Sequence, residues 1–118
     1  DSWASRGLGD VYKRQVQMRY NYNDGSLKID LDEELDMKAC KTLRTVIDGY
    51  IMRYQPREFI IDLSDVKFMD SSGIGLLIGR YNLIKFMDSK MIVLNPTHSI
   101  KRILELSKVS DKILVRCD

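Results

Sequence analysis

The chain has 118 residues, which is enough for one domain with one hydrophobic core and too few for two. Hydrophobic residues make up 44% of it and charged residues 31%, values that are ordinary for a globular protein. The formal net charge of +2 argues against a nucleic-acid-binding protein, so the expected partner is another protein or a small molecule.

Cysteine usage and hydropathy set the expected compartment. Cys40 and Cys117 are not spaced like a metal site or a disulfide framework. No apolar run approaches the roughly 20 residues that span a bilayer, and the first residues lack the apolar region of a signal peptide. We therefore expect a cytoplasmic protein with two free thiols and no membrane contact.

Residues 1–17 are interpreted as a non-native or disordered tail, and residues 18–118 as the folded domain. Residues 1–15 show neither helix nor strand periodicity. Within them, GLGDVYKRQ resembles a translated adapter sequence, and Met18 is the predicted native start. A natural disordered arm is the alternative.

A hairpin is the first predicted element, with strands over residues 18–23 and 26–31. The Asp24-Gly25 dipeptide between them is a strong signal for a two-residue turn. The second strand alternates apolar and polar residues, which predicts one buried face. Its apolar residues are Leu27, Ile29 and Leu31.

A helix is predicted over residues 36–54, because apolar residues recur there at helical spacing. Gln55-Pro56 ends it, since a residue before proline disfavours the helical region. The continuous apolar run over residues 59–63 is typical of a central strand that is covered on both faces.

A second helix is predicted over residues 72–86, followed by a strand over 91–94. Gly75 and Gly79, four residues apart, predict a smooth helix surface for close approach. The buried stripe is predicted to consist of Ile74, Leu77, Ile78, Tyr81 and Ile84.

A third helix opens at Pro96-Thr97, and a short strand is predicted over residues 113–115. The resulting order is β-β-α-β-α-β-α-β. Helices between strands imply parallel pairing with right-handed crossovers. The fold class is therefore α/β, with a mixed, mostly parallel sheet of about five strands and a leading hairpin.

The segment Asp70-Ser71-Ser72-Gly73 lies between a buried strand and a helix start, where α/β proteins build their sites. One interpretation is structural: Ser71 or Ser72 caps the helix. The other is regulatory, because a phosphate at an exposed helix N-terminus meets free amides and the helix dipole. It would add roughly −1.5 to −2 charges without refolding the chain.

The acidic residues before the first helix allow two interpretations as well. In one interpretation they form a solvated helix start, where the helix dipole favours negative charge. In the other they help to bind a partner near Ser71. The run lacks the alternating ligands and glycine turn of a calcium loop, so no metal is expected. It consists of Asp30, Asp32, Glu33, Glu34 and Asp36.

An enzyme active site has little support in the sequence. His98 is the single histidine, and no nucleophile elbow of the G-x-S-x-G type accompanies it. We expect His98 in the first turn of the third helix, and we assign no catalytic residue.

Three segments resemble one family. FMDSSGIGLLIGRY (residues 68–81) is similar to the phosphorylation segment of STAS domains, specifically the anti-sigma factor antagonists of spore-forming bacteria. EELDMKA (33–39) resembles the loop before the first helix of that family, and IIDLSDVKFMDSSG (60–73) matches in register. The resemblance covers residues 18–115, so the STAS fold is expected.

The resemblance implies a switch that acts in sporulation. Ser71 matches the phosphoacceptor, and Asp36 matches the aspartate of the loop that faces it. The kinase would be the anti-sigma factor itself, which brings its own ATP, so no cofactor is assigned to this chain. The unphosphorylated form would bind the anti-sigma factor and free the sigma factor, and a PP2C-type phosphatase would reset it. The remaining partner-binding residues would be Asp70, Ser72, Gly73, Ile74 and Gly75.

Two departures from the family pattern stand out. Family members continue past the last strand into a further helix that packs on the sheet, whereas this sequence stops at Asp118. Without that helix, apolar surface is expected to be uncovered. Glu33 replaces the usual glycine. Two other functions stay open, namely a STAS subunit without a switch in a transporter or lipid-transport complex, and a small α/β enzyme.

Overall fold

The computed structural model describes residues 18–118, so the predictions for residues 1–17 lie outside the described residues. Within these residues, a leading hairpin of two strands is followed by three helices that alternate with three further strands. The strands are β1 (Arg19–Asn23), β2 (Ser26–Asp30), β3 (Glu58–Asp62), β4 (Lys90–Leu94) and β5 (Leu114–Arg116). The helices are α1 (Met37–Tyr54), α2 (Ser71–Phe86) and α3 (His98–Leu106), and a single 3-10 turn spans Val109–Asp111.

One five-stranded sheet runs in the order β1-β2-β3-β4-β5. Only the β1–β2 pair is antiparallel, and the three other pairs are parallel. The mixed sheet, the leading hairpin and the order of elements are confirmed. Asp24 and Gly25 both have positive φ, 53° and 82°, as a type I′ turn requires.

The main core lies on one face of the sheet, beneath the three helices. Alternate strand residues such as Phe59 and Ile61 point into it, and both are fully buried. On the opposite face, a smaller buried cluster consists of Ile60, Ile92 and Leu94. The central position of β3 explains its apolar sequence, because its residues bury side chains on both faces.

The first helix agrees with its prediction. Its buried residues are Cys40, Leu43, Ile47 and Ile51, each three or four positions after the last. It ends at Tyr54 because Gln55 turns into the left-handed conformation, φ 47°, ahead of Pro56.

The second helix begins at Ser71, one residue earlier than predicted, and buries a different face. Leu77 and Ile84 are buried as expected. Leu76 and Arg80 are buried although they were not assigned to the stripe, whereas Ile74, Ile78 and Tyr81 are only partly buried. Arg80 can lie inside because its Nε is 2.8 Å from Asp48 Oδ1 of α1.

The predicted close approach at Gly75 and Gly79 is not made by any part of residues 18–118, so the prediction is wrong for these residues. A Cβ atom built at either position would have no atom of the described structure within 4 Å. The third helix begins as expected, with Thr97 as its cap, and His98 is exposed in its first turn. No helix within residues 18–118 is long and apolar enough to cross a membrane.

Candidate functional site

The starts of α1 and α2 are held side by side by a short parallel β-bridge between Leu35 and Met69. The Leu35 amide donates to the Phe68 carbonyl oxygen at 2.9 Å, and the Asp70 amide donates to the Leu35 carbonyl oxygen at 3.2 Å. Leu35 and Met69 are buried, which keeps these bonds away from water. Two segments that are 34 residues apart in sequence therefore enter their helices as neighbours.

Aspartates in equivalent positions cap the two helices. Asp36 Oδ1 accepts a hydrogen bond from the Ala39 amide at 2.8 Å, and Asp70 Oδ1 accepts one from the Ser72 amide at 2.7 Å. The prediction that Ser71 or Ser72 caps α2 is wrong. A carboxylate at the cap satisfies an orphan amide and complements the positive end of the helix dipole.

Because Asp70 is the cap, Ser71 becomes the first residue of α2 and is exposed. Its hydroxyl makes no hydrogen bond to another described residue. The Gly73 and Ile74 amides donate to the Asp70 main-chain oxygen at 3.0 and 3.3 Å. Asp70 thus engages three successive amides, including that of the half-buried Ser72, and leaves the Ser71 side chain in solvent.

Gly73 is buried against the bridge, so it supports the site from below. A Cβ atom there would collide with Met69 Cγ and would lie 3.1 Å from Leu35 Cβ. Ile74 is half-buried and Gly75 is exposed. The structure therefore brings the proposed site residues together at two neighbouring helix starts, with Asp36 at the start of α1 and the others at the start of α2. Gly73 is a packing residue rather than a surface residue.

Cys40 lies beneath the two caps, a placement that the sequence analysis did not anticipate. Its thiol is buried, and desolvation raises the pKa of Cys40 to about 11, with the nearby Asp70 and Asp36 carboxylates adding to the rise. The sequence analysis predicted Cys40 only as a free thiol and did not assign it to the apolar face of α1. Its proximity to both caps depends on the bridge, which has no local signal.

The acidic run does not converge on a single point. Asp36 is the α1 cap, and Lys28 Nζ lies 3.7 Å from both the Asp30 and the Asp62 carboxylates. The pKa of Glu33 is raised by partial burial, with the Asp32 and Asp36 carboxylates adding to the rise. Among the described residues, no group of three or more potential ligands is placed to hold a metal ion.

Two large apolar side chains near Ser71 are exposed. Met37 is 73% exposed at the first position of α1, and Phe68 is 46% exposed just before the bridge. Met37 lies two residues after Leu35, and Ser71 lies two residues after Met69, so the two occupy equivalent positions relative to the bridge. Exposed apolar side chains beside a polar rim are typical of protein-binding surfaces.

The comparisons with known proteins agree with this architecture. The family model for the STAS domain matches residues 17–117. An anti-sigma F factor antagonist from Paenibacillus polymyxa is 33% identical over 92 residues, which cover 78% of this chain and 79% of that protein.

Two solved structures of one anti-sigma factor antagonist, SpoIIAA, are also similar. The unphosphorylated form is 25% identical, with a TM-score of 0.72 over 83% of this chain and 86% of that one. The phosphorylated form, described as that of a Bacillus cell fate determinant, is 25% identical, with a TM-score of 0.66 over 83% of this chain and 89% of that one. The chain belongs to the STAS domain family, in the group of the anti-sigma factor antagonists.

Proposed function

We propose that this protein is an anti-sigma factor antagonist that works as a phosphorylation switch at Ser71. The unphosphorylated form binds an anti-sigma factor with serine kinase activity and thereby releases the sigma factor. Phosphorylation of Ser71 by that kinase ends the interaction, and a PP2C-type phosphatase restores it. The chain is a binding protein in this scheme, and the kinase supplies the ATP.

The exposed hydroxyl at the first position of α2 is the observation that carries this proposal. Ser71 lies in solvent, while its neighbours Asp70 and Ser72 share the capping hydrogen bond of 2.7 Å. A kinase can therefore reach the Ser71 oxygen without unfolding the helix. The same position lets a phosphate be added without displacing a core side chain.

The direction of the switch follows from the occupied helix start. Asp70 already accepts the amides of Ser72, Gly73 and Ile74, so these donors are not free for a phosphate. A dianion on Ser71 would also lie beside the Asp70 carboxylate. The phosphate would then project outward, where a bound partner would have to desolvate it.

The surface around Ser71 indicates the chemistry of the partner. Met37 and Phe68 present apolar side chains, and the exposed Asp32 and Glu34 carboxylates lie on the loop that leads to α1. A complementary partner would offer an apolar contact with a basic rim, because complementary charge steers encounter and fixes register. Phosphorylation of Ser71 would add negative charge to this surface.

A kinase assay with a matched pair of variants tests the proposal. The protein is incubated with a candidate anti-sigma factor kinase and labelled ATP. We expect label on the wild type and on Ser72→Ala, and none on Ser71→Ala. Ser72→Ala is the control because the adjacent hydroxyl is half-buried and its amide bond to Asp70 is kept.

Binding of the unphosphorylated protein is the second part of the test. Ser71→Asp, which mimics only part of the dianion, is expected to weaken kinase binding about 10-fold or more, whereas Ser72→Asp is expected to weaken it less. Label that persists in Ser71→Ala would refute the assignment of Ser71. If the kinase binds the wild type but transfers no label to it, the result would instead support a STAS subunit without a switch.

A further inference from the structure

The strand β1 lies at one edge of the sheet, and it is exposed along its whole length. Its five residues, Arg19–Asn23, are all exposed to solvent. Within the part of the chain that the structure describes, no strand pairs with β1 on the side away from β2. An open strand edge offers a row of unpaired main-chain donors and acceptors to another strand.

The hairpin geometry determines which amides face this edge. In a two-residue hairpin, the residues flanking the turn, here Asn23 and Ser26, exchange both main-chain hydrogen bonds. Paired residues then alternate between bonded and non-bonded along the ladder. Arg19, Asn21 and Asn23 therefore bond to β2, and Tyr20 and Tyr22 direct their N–H and C=O groups to the open edge.

We propose that β1 is a self-association edge, at which a second copy of this chain pairs antiparallel with the first about a twofold axis at Asn21. In this register Tyr20 of each copy faces Tyr22 of the other. These are the residues whose main-chain groups point outward, so four hydrogen bonds close across the axis. Among the strand residues Arg19–Asn23, any other register that pairs outward-facing residues closes fewer.

The side chains on the helix side of the sheet favour the same register. Tyr20 packs on Tyr50 with ring centroids 4.2 Å apart, and Tyr22 stacks on Tyr54 at 4.6 Å. Tyr20 and Tyr22 are each still 38% exposed. Antiparallel pairing places the two tyrosines of one copy against those of the other on the same face, and aromatic cross-strand pairs stabilise sheets.

The charges of β1 are compatible with a copy of itself. Arg19 would face Asn23 of the other copy, and Asn21 would face Asn21, so no like charges are opposed. Proline and lysine, which commonly protect strand edges, are absent from Arg19–Asn23. The contact is small, so we expect a weak dimer with a Kd of about 0.1 mM.

This inference is independent of the proposed function. The edge belongs to the hairpin, whereas Ser71 begins the helix that follows the central strand β3. A chain that fails as a phosphorylation switch would still pair through β1, and a monomeric chain would still present Ser71.

Charged side chains introduced at the twofold axis test the register. Sedimentation equilibrium of the full chain is measured at low ionic strength, from about 10 µM to about 1 mM. Asn21→Asp and Asn21→Lys are each expected to weaken association about 10-fold, because like charges then face each other. An equimolar mixture of the two variants is expected to restore it, since Asp then faces Lys.

Two further variants serve as controls. Asn23→Asp would face Arg19 of the other copy twice and is expected to tighten the dimer about 3-fold. Asn82→Asp makes the same charge change on the exposed side of α2 and is expected to leave association unchanged. The proposal is overturned if the wild type stays monomeric at about 1 mM, if Asn21→Asp associates as the wild type does, or if the mixture does not recover.

Discussion

At Ser71, the side chain that would carry the signal is separated from the side chain that caps the helix. Asp70 makes the capping bond at 2.7 Å, and Ser71 is left exposed. Aspartate and serine are almost equally good caps, so the sequence Asp-Ser-Ser could not decide between them. The bridge between Leu35 and Met69 decides it, because it fixes where the chain turns into α2.

The reactivity of the Cys40 thiol depends on the two capping aspartates and can be predicted. Burial and the Asp70 and Asp36 carboxylates raise the pKa of its thiol to about 11, so the thiolate is scarce at neutral pH. In a Cys117→Ser background, alkylation of Cys40 by iodoacetamide at pH 8 is expected to be at least about 100-fold slower than in urea-unfolded protein.

A cap variant checks the cause of this protection. Asp70→Asn keeps an oxygen that can accept the Ser72 amide but removes the negative charge. The alkylation rate should then rise, because one contribution to the raised pKa of Cys40 is lost. Rapid alkylation of the folded wild-type protein would contradict the buried position of Cys40.

At the scale of one element, α2 shows why periodicity alone was insufficient. Ile74, Leu76, Leu77 and Ile78 lie almost consecutively, so apolar residues occur on several sides of the helix. A period of 3.6 residues then fits more than one buried stripe. Leu76 is buried and Ile78 only partly so because α2 packs against both the sheet and α1, which local sequence does not specify.

The glycines of α2 are expected to respond in opposite ways to alanine. Gly73→Ala would drive a Cβ atom into Met69 and towards Leu35, so we expect a loss of about 1–3 kcal/mol in the free energy of unfolding. Gly75→Ala meets no atom within 4 Å and should gain about 0.5–1 kcal/mol, as alanine favours helix. Urea denaturation measures both.

Alanine variants of the α2 glycines also distinguish an effect on stability from an effect on kinase binding. If a partner approaches α2 closely near Ser71, Gly75→Ala will stabilise the protein yet weaken kinase binding. Gly79→Ala, which also has open space around its Cβ position, is the control farther along the helix. Equal stability of Gly73→Ala and the wild type would contradict the tight contact at the bridge.

For the whole molecule, local patterns sufficed for the order of elements but not for the contacts between them. The hairpin turn, the apolar β3 and the end of α1 at Gln55 each have a nearby sequence signal, and they were predicted from it. The bridge of Leu35 to Met69 and the ion pair of Asp48 with Arg80 join distant residues. Such contacts depend on how the helices pack together, so a single sequence does not reveal them.

The ion pair of Asp48 with Arg80 joins α1 to α2, and its contribution to stability can be predicted. The Arg80 side chain is 8% exposed and that of Asp48 is 37% exposed. Burial lowers the pKa of Arg80, although the nearby Asp48 carboxylate opposes this. Asp48→Asn would leave the guanidinium buried without a counter-charge, and we expect a loss of about 2 kcal/mol, moderated by the partial exposure of Asp48.

Replacing Arg80 instead should lower the free energy of unfolding by less, because the partly exposed Asp48 carboxylate can turn to water. Arg80→Met is therefore expected to destabilise the protein by about 1 kcal/mol, and Asp48→Asn should add little in the Arg80→Met background. Urea unfolding of the wild type, both single variants and the double variant gives the coupling between the two side chains. Additive losses, or a greater loss for Arg80→Met than for Asp48→Asn, would show that this pair does not hold α1 and α2 together.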